Sequence, residues 1–109
     1  MTNSSQTANR RPITVLIDPD LREIVASFLD NRRKDVASLQ AAVASNDLKT
    51  VRLLGHRMKG DGGGYGFEAI SAIGEALEQA ATRQDHTVMM QQISKLSDFL
   101  ARVKVVYRR

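Results

Sequence analysis

The chain has 109 residues, of which 42% are hydrophobic and 26% are charged. This length supports one hydrophobic core, because two cores of half the size would each be marginal. The formal net charge of +4 favours acidic or anionic partners. The absence of cysteine excludes disulfides and thiolate metal sites, and it suits a reducing compartment. The polar start lacks a signal peptide, and no apolar run reaches the roughly 18 residues of a membrane span, so we expect a soluble cytoplasmic protein.

The first part of the chain divides into a polar tail and a helix start. Residues 1–11 are rich in Ser, Thr, Asn and Gln, which predicts a disordered tail, and residues 12–109 form the folded domain. The segment 13–17 has strand-like composition, but no other strong strand candidate is available to pair with it, so we expect it to pack extended against helices. In the next segment Asp18 is a helix cap, and Pro19 suits the first helical position.

The apolar spacing of the remaining sequence predicts four main helices and a leading one that is either separate or fused to the second. Asp47 is the predicted cap of the third helix, and the fifth follows Gln84 and Asp85. The apolar positions of the five segments are, in order, Leu21, Ile24, Val25 and Phe28; Val36, Leu39 and Val43; Val51, Leu54 and Met58; Phe67, Ile70, Ile73 and Leu77; and Ile93, Leu96, Leu100, Val103 and Tyr107. The fold class is therefore all-α.

His56 is the candidate functional residue, because the phase of the third helix turns it away from the core. At about 100° per residue from Val51, the apolar stripe lies near 0°, 300° and 340°, whereas His56 falls near 140°. Arg52 lies four residues before it and Lys59 three residues after it, so this imidazole faces solvent among basic side chains. A lone surface histidine usually has no function, and this geometry alone leaves that interpretation open.

Gly60 lies one turn after His56 on the same face. A glycine within a helix costs about 1 kcal/mol relative to alanine. Either a partner must approach the imidazole closely and a side chain would obstruct it, or Gly60 begins the unwinding of the helix in the glycine-rich segment 60–64. The ammonium group of Lys59 is within reach of an anionic group carried by His56.

The stretch His56-Arg57-Met58-Lys59-Gly60, with Gly66 ten residues after the histidine and an apolar helix that ends in Leu77-Glu78, resembles the signature of the histidine-containing phosphotransfer (HPt) family of two-component phosphorelays. The resemblance covers about residues 18–107 and implies an antiparallel four-helix bundle. It departs from the family pattern at Gly55, where alanine is frequent, and in the run Gly62-Gly63-Gly64. The run suggests that the third helix ends more loosely than is typical.

The resemblance implies that His56 is the phospho-acceptor, through Nε2, that Lys59 stabilises the phosphoryl group, and that Gly60 gives steric access. Phosphoryl groups would come from receiver domains or a sensor or hybrid histidine kinase, and would pass to a response regulator. Arg52 and Lys49 would extend the basic rim, and Gly63 would belong to the partner surface. The chain itself would bind no cofactor, because the receiver supplies Mg²⁺. The chain would be a phosphoryl carrier and not an enzyme, and it would have no ATP-dependent kinase activity of its own.

Two other functions stay open at this point. One is an HPt-like bundle that only docks a receiver or dimerises. The other is a small nucleic-acid binder that uses Arg32-Arg33-Lys34 and the terminal arginines, although five aromatic residues are few for such a surface. We favour a monomer that stands alone, while a piece of a hybrid kinase would give the same pattern.

The remaining candidate residues are given structural roles. His86 is interpreted as a capping or surface residue, and Tyr65 as a packing residue. Met89 and Met90 are interpreted as core or near-core residues of the last helix. The glycine-rich segment follows a helix and lacks the lysine of a P-loop, so we expect no nucleotide site.

Overall fold

The computed structural model of the chain describes residues 11–109. Four helices dominate it: α1 (Arg22–Ala44), α2 (Leu48–Gly64), α3 (Glu68–Thr82) and α4 (His86–Arg102). Two strands, β1 (Ile13–Ile17) and β2 (Val103–Tyr107), flank the helices. The predicted four-helix bundle is confirmed. The predicted tail lies outside the described residues, except for Arg11.

The leading helix is fused to the second predicted helix. Pro19–Leu21 forms one 3₁₀ turn, and α1 then runs without interruption to Ala44. Asp18 caps this turn as predicted, because its carboxylate accepts a hydrogen bond of 2.9 Å from the N–H of Asp20. The long α1 therefore covers α2 on one side and α4 on the other.

Three connections of similar geometry join the four helices. Each has three residues, and the middle one, Asn46, Gly66 or Gln84, has a positive φ of 57°, 87° or 59°. The next residue in each loop donates its N–H to a carbonyl five residues earlier, at distances of 2.7 to 2.9 Å, so the last carbonyls of each helix are satisfied. Such short connections hold consecutive helices antiparallel.

Asp47 begins α2 in the way that the sequence predicts. Its carboxylate accepts hydrogen bonds from the N–H and the hydroxyl group of Thr50. Both hydrogen bonds lower the pKa of Asp47 below its usual value, and the bond from the hydroxyl group has the larger effect. Since α2 carries His56, this cap fixes the helical register of the candidate site.

The end of the chain differs from the sequence-based expectation. The prediction that Val103 and Tyr107 continue the last helix is wrong, because α4 ends at Arg102 and Val103–Tyr107 forms β2. β2 pairs in parallel with β1, in a register that runs from Ile13 beside Val103 to Ile17 beside Tyr107. The expectation that segment 13–17 has no strand partner is therefore wrong as well.

The physical reason is the period of the side chains. Val103, Val105 and Tyr107 pack against the core, while Lys104 and Val106 are exposed. This alternation has the period of two that is typical of a strand, and valine and tyrosine are favourable strand residues.

The core lies between the helices and under the inner face of the two strands. Its largest fully buried side chains are Phe67, Ile17, Leu39, Met58, Ile70, Leu77, Met89, Leu96 and Val51. Tyr65 packs as predicted, with its ring 4.4 Å from that of Phe28. Met89 is buried, whereas the prediction of a core position for Met90 is wrong, since it is 52% exposed. None of the helices in the described part of the chain is long and apolar enough to cross a membrane.

Candidate functional site

The structure places His56 on the exposed face of α2. Val51 and Met58 of the same helix are fully buried, and the His56 side chain retains 70% of its accessible surface. The helix phase derived from the sequence therefore gives the correct orientation. An imidazole in this position is open to a macromolecular partner.

Helix α3 supplies a partner for the imidazole. The Nδ1 atom of His56 lies 3.0 Å from Oε2 of Glu78, which is 22 positions later in the chain. An ionised carboxylate can only accept a hydrogen bond, so Nδ1 is the donor and carries the proton. In the neutral ring, Nε2 then carries the free lone pair. The pair therefore selects the tautomer with the proton on Nδ1 and the lone pair on Nε2.

The backbones of α2 and α3 come very close together at Gly55 and Gly74. A Cβ atom placed on Gly55 would lie 2.8 Å from the backbone N of Glu78 and 2.8 Å from the backbone O of Gly74. A Cβ atom on Gly74 would lie 2.5 Å from the backbone N of Lys59. There is no room at Gly55 for the alanine that the resemblance leads us to expect before the histidine. Glycine at 55 is therefore a packing requirement of this chain.

The glycine-rich end of α2 remains helical. The helix continues to Gly64, so the interpretation of Gly60 as the start of unwinding is wrong. Gly62 is buried against α3, where its Cβ would lie 2.5 Å from the backbone N of Ser71. A Cβ on Gly60, in contrast, would meet no atom within 4 Å. Contacts within this chain thus explain Gly62, and they do not explain Gly60.

Lys59 lies on the same side of the helix pair. Its Nζ is 3.5 Å from Oε1 of Glu75, and both side chains are about half exposed, at 46% and 52%. The hydroxyl group of Ser71 donates a hydrogen bond of 2.6 Å to the carbonyl oxygen of Lys59. An exposed ion pair of this kind contributes at most about 1 kcal/mol. The ammonium group can therefore leave Glu75 for a stronger anion.

The structure brings two of the predicted partner-binding residues to His56 and places the third elsewhere. Lys49 and Arg52 line a shallow cavity together with Leu53, His56 and Glu78. Leu53 is 48% exposed, so the cavity combines an apolar side chain with two cations. Gly63 does not line this cavity, and a Cβ there would lie 3.9 Å from the hydroxyl oxygen of Ser71.

Two of the three basic residues of the segment 32–34 are engaged within the chain. Arg32 is only 14% exposed and its Nε lies 2.8 Å from Oδ2 of Asp35, and Arg33 pairs with Asp30 at 2.9 Å. Burial raises the pKa of Asp35, against the lowering effect of Arg32. These contacts argue against the segment as a free basic surface for nucleic acid.

The second histidine has a structural environment. His86 is the first residue of α4, and its Nε2 lies 2.9 Å from Oδ1 of Asn46 in the connection between α1 and α2. It is exposed, in agreement with the surface role expected for it. Across residues 11–109, no group of three or more His, Asp or Glu side chains is arranged to hold a metal ion.

The fold is a four-helix bundle in which α2 presents the exposed imidazole of His56, with Nδ1 held by Glu78 of α3. The family model described as Hpt domain matches residues 23–105, and the chain belongs to this family. The general role of this family is histidine phosphotransfer in phosphorelays, in which its members interact with receiver domains and kinases. A search of curated proteins and a search of solved structures gave no match.

Sequence reasoning gave no role to the residues that α3 contributes, namely Ser71, Gly74, Glu75 and Glu78. Glu78 entered only as the last residue of the motif, because nothing local in the sequence shows a contact over 22 positions. The position of two of these residues on α3 was one signal of a contact with another helix. Gly74 and Leu77 face the core, so Glu75 and Glu78 border the buried face of α3 and are positioned to reach a neighbouring helix.

Proposed function

We propose that His56 carries a phosphoryl group on Nε2 between the aspartates of two-component receiver domains. The observation that carries this proposal is the pairing of Nδ1 with Glu78, which leaves the lone pair of an exposed Nε2 available. The second exposed histidine, His86, differs in this respect, because its Nε2 is the nitrogen that lies 2.9 Å from an acceptor, Oδ1 of Asn46. The contact with Glu78 therefore distinguishes His56 by leaving Nε2 free.

The transfer needs one bond to form and one to break. The Nε2 lone pair attacks the phosphorus of an aspartyl phosphate, the N–P bond forms, and the P–O bond to the aspartate breaks. The aspartate carboxylate leaves with the bonding electron pair. The ring becomes positively charged while Nδ1 keeps its proton, and the Glu78 carboxylate stabilises this charge. The reverse sequence of steps delivers the phosphoryl group to a second aspartate.

Basic side chains next to His56 complement the transferred group. A phosphoryl group adds about two negative charges. Lys59 lies one turn from His56 and has only a weak hold on Glu75, so its ammonium group is available to the phosphoryl oxygens. Lys49 and Arg52 line the cavity beside the ring, where they favour the approach of an acidic receiver surface. The receiver's own acidic pocket would bind the Mg²⁺ ion of the reaction.

Gly60 supports an approach by a macromolecule. The glycines at 55, 62 and 74 are required by close helix packing, and Gly66 by its positive φ. Gly60, like Gly64, has open space around it and still forgoes the helix stability of a side chain, but Gly60 is the one that lies a single turn after His56 on the same helix face. We therefore assign the missing side chain to the requirements of a partner that must reach Nε2. Leu53, exposed beside His56, gives that partner an apolar contact.

The experiment that tests this function is label transfer from receiver domains. Receivers that carry ³²P-aspartyl phosphate are mixed with wild-type protein, His56→Gln and His86→Gln. We expect an acid-labile, alkali-stable label on the wild type and on His86→Gln, and none on His56→Gln. Equal labelling of His56→Gln would refute the assignment of the acceptor. No label on any variant across a panel of receivers would indicate a module that docks receivers without transfer.

A further inference from the structure

The contact between Gly55 and Gly74 determines more than the packing of two helices. Resting on the proposed function of His56, we propose that these two glycines are positioning residues, which bring α3 close enough to α2 for Glu78 to hold the imidazole. The pair would thereby set the tautomer of His56. Neither glycine touches the imidazole or the reacting atoms, so any effect passes through Glu78.

The contact between the two glycines leaves no space for a side chain. Added Cβ atoms would lie 2.8 Å from backbone atoms at Gly55, and 2.5 Å from the backbone N of Lys59 and 2.6 Å from the backbone O of Gly55 at Gly74. Most of the nearest atoms belong to backbone, which cannot rotate away as a flexible side chain can. Any side chain at these positions therefore requires the two helices to move apart.

The hydrogen bond between His56 and Glu78 tolerates less movement than an added methyl group requires. A normal carbon contact needs roughly 3.5 Å, so a methyl group at Gly74, at 2.5 Å from Lys59 N, would separate the helices by about 1 Å. The Nδ1 to Oε2 distance is 3.0 Å. A hydrogen bond is lost when this distance reaches about 3.6 Å. One methyl group is therefore sufficient to separate His56 from Glu78.

The contact between the two glycines lies next to the site. Gly55 immediately precedes His56, and its Cβ position is 2.8 Å from the backbone N of Glu78 itself. Gly74 is one turn before Glu78 on α3. The close contact of the two helices, which also includes Gly62 and Ser71, thus extends to the two residues that form the hydrogen bond. Separation at this point acts directly on their distance.

Helix propensity does not explain these glycines. Alanine in place of a helical glycine normally stabilises a helix by about 1 kcal/mol. At Gly64, the last residue of α2, a Cβ would meet nothing within 4 Å. Gly64→Ala is therefore a matched control, which adds the same methyl group to the same helix without moving α3.

The experiment measures the tautomer of His56 by ¹⁵N NMR in alkaline buffer, where imidazole is neutral, and it needs no phosphorylation. The variants are Gly74→Ala, Gly55→Ala, Gly64→Ala and Glu78→Ala, and the double variant Gly74→Ala with Glu78→Ala. We expect the wild type and Gly64→Ala to hold mainly the Nδ1–H form. In Gly74→Ala and Gly55→Ala this form should fall toward the level of Glu78→Ala. The double variant should have the same tautomer populations as Glu78→Ala alone, because Gly74 acts through Glu78.

Two outcomes would overturn the proposal. One is a wild-type tautomer in Gly74→Ala and Gly55→Ala variants that circular dichroism shows to be folded. The other is a loss of fold in both variants, because the glycines would then be required for the bundle itself and not for the placement of Glu78. A tautomer shift as expected, without any phosphotransfer in the wild type, would instead refute the proposed function and leave the positioning role intact.

Discussion

The imidazole Nδ1 of His56 and the carboxylate of Glu78 lie 3.0 Å apart across the contact between α2 and α3. Glu78 is 26% exposed while His56 is 70% exposed, so the carboxylate sits at the base of the ring and leaves the opposite nitrogen free. This arrangement orients the imidazole from one side without covering it. The same logic of a carboxylate behind a histidine operates in catalytic triads.

We therefore expect Glu78→Ala to slow phosphotransfer. A hydrogen bond to a charged group contributes about 1.5 to 3 kcal/mol, so the rate should fall by about 10- to 100-fold. Glu78→Gln keeps an oxygen that accepts a hydrogen bond from Nδ1–H but loses the negative charge. Its transfer rate should therefore lie between those of the wild type and Glu78→Ala. The measurement is the rate of label transfer from a phosphorylated receiver. A wild-type rate in Glu78→Ala would contradict the role of this carboxylate.

Replacement of Lys59 tests the stabilisation of the phosphoryl group. Lys59→Ala should shorten the lifetime of phosphohistidine or slow transfer, because the exposed ammonium no longer balances the added charge. Glu75→Gln should act in the opposite direction, since it frees Lys59 from its ion pair. The lifetimes are measured by loss of label, with circular dichroism to verify folding. Identical lifetimes in all three proteins would show that Lys59 does not contact the phosphoryl group.

Replacement of Gly60 distinguishes access to His56 by a protein from access by a small molecule. Gly60→Gln should leave the helix intact and stabilise it by up to about 1 kcal/mol, because the added side chain points into open space. Transfer from a receiver should be strongly reduced. Phosphorylation by a small chemical donor such as phosphoramidate should continue, since it requires no close approach of a second protein. Normal receiver transfer in this variant would leave Gly60 without a function.

Local patterns in the sequence were sufficient for most of the helical segments and for the orientation of His56. The spacing of Val51, Leu54 and Met58 predicts both α2 and the outward direction of His56, because helix phase depends only on nearby residues. Asp47 and Asp18 were recognised as caps for the same reason. Contacts between distant segments were not predictable in this way. Glu78 reaches His56 only after α3 folds back on α2, and no local rule gives the separation of two helices.

The error at the end of α4 has a different cause. Leu96, Leu100, Val103 and Tyr107 continue a helical spacing of three and four, while Val103, Val105 and Tyr107 also fit the period of a strand. The second pattern prevails because β1 offers a partner at the correct distance, and pairing satisfies the backbone of both segments. Periodicity alone could not distinguish the two.

The parallel strand pair gives a stability prediction of its own. The N–H of Arg108 donates to the carbonyl of Ile17, and in a parallel ladder alternate residues face the same partner strand, so the N–H of Val106 also faces β1. Val106→Pro should therefore destabilise the fold by about 1 to 3 kcal/mol, because a ladder hydrogen bond is lost. Val106→Ala, which keeps the N–H and changes only an exposed side chain, is the control. Equal unfolding midpoints in urea for the two variants would contradict the register.

Phosphorus should bind to Nε2 of His56, and ¹⁵N and ³¹P NMR of the phosphorylated protein measure this bond directly. Samples phosphorylated by a receiver domain and by a small donor are compared with unphosphorylated protein. Our account predicts coupling of phosphorus to Nε2 of His56 alone, with the proton retained on Nδ1. Phosphorus on Nδ1 of His56, on His86, or on no histidine at all would contradict it.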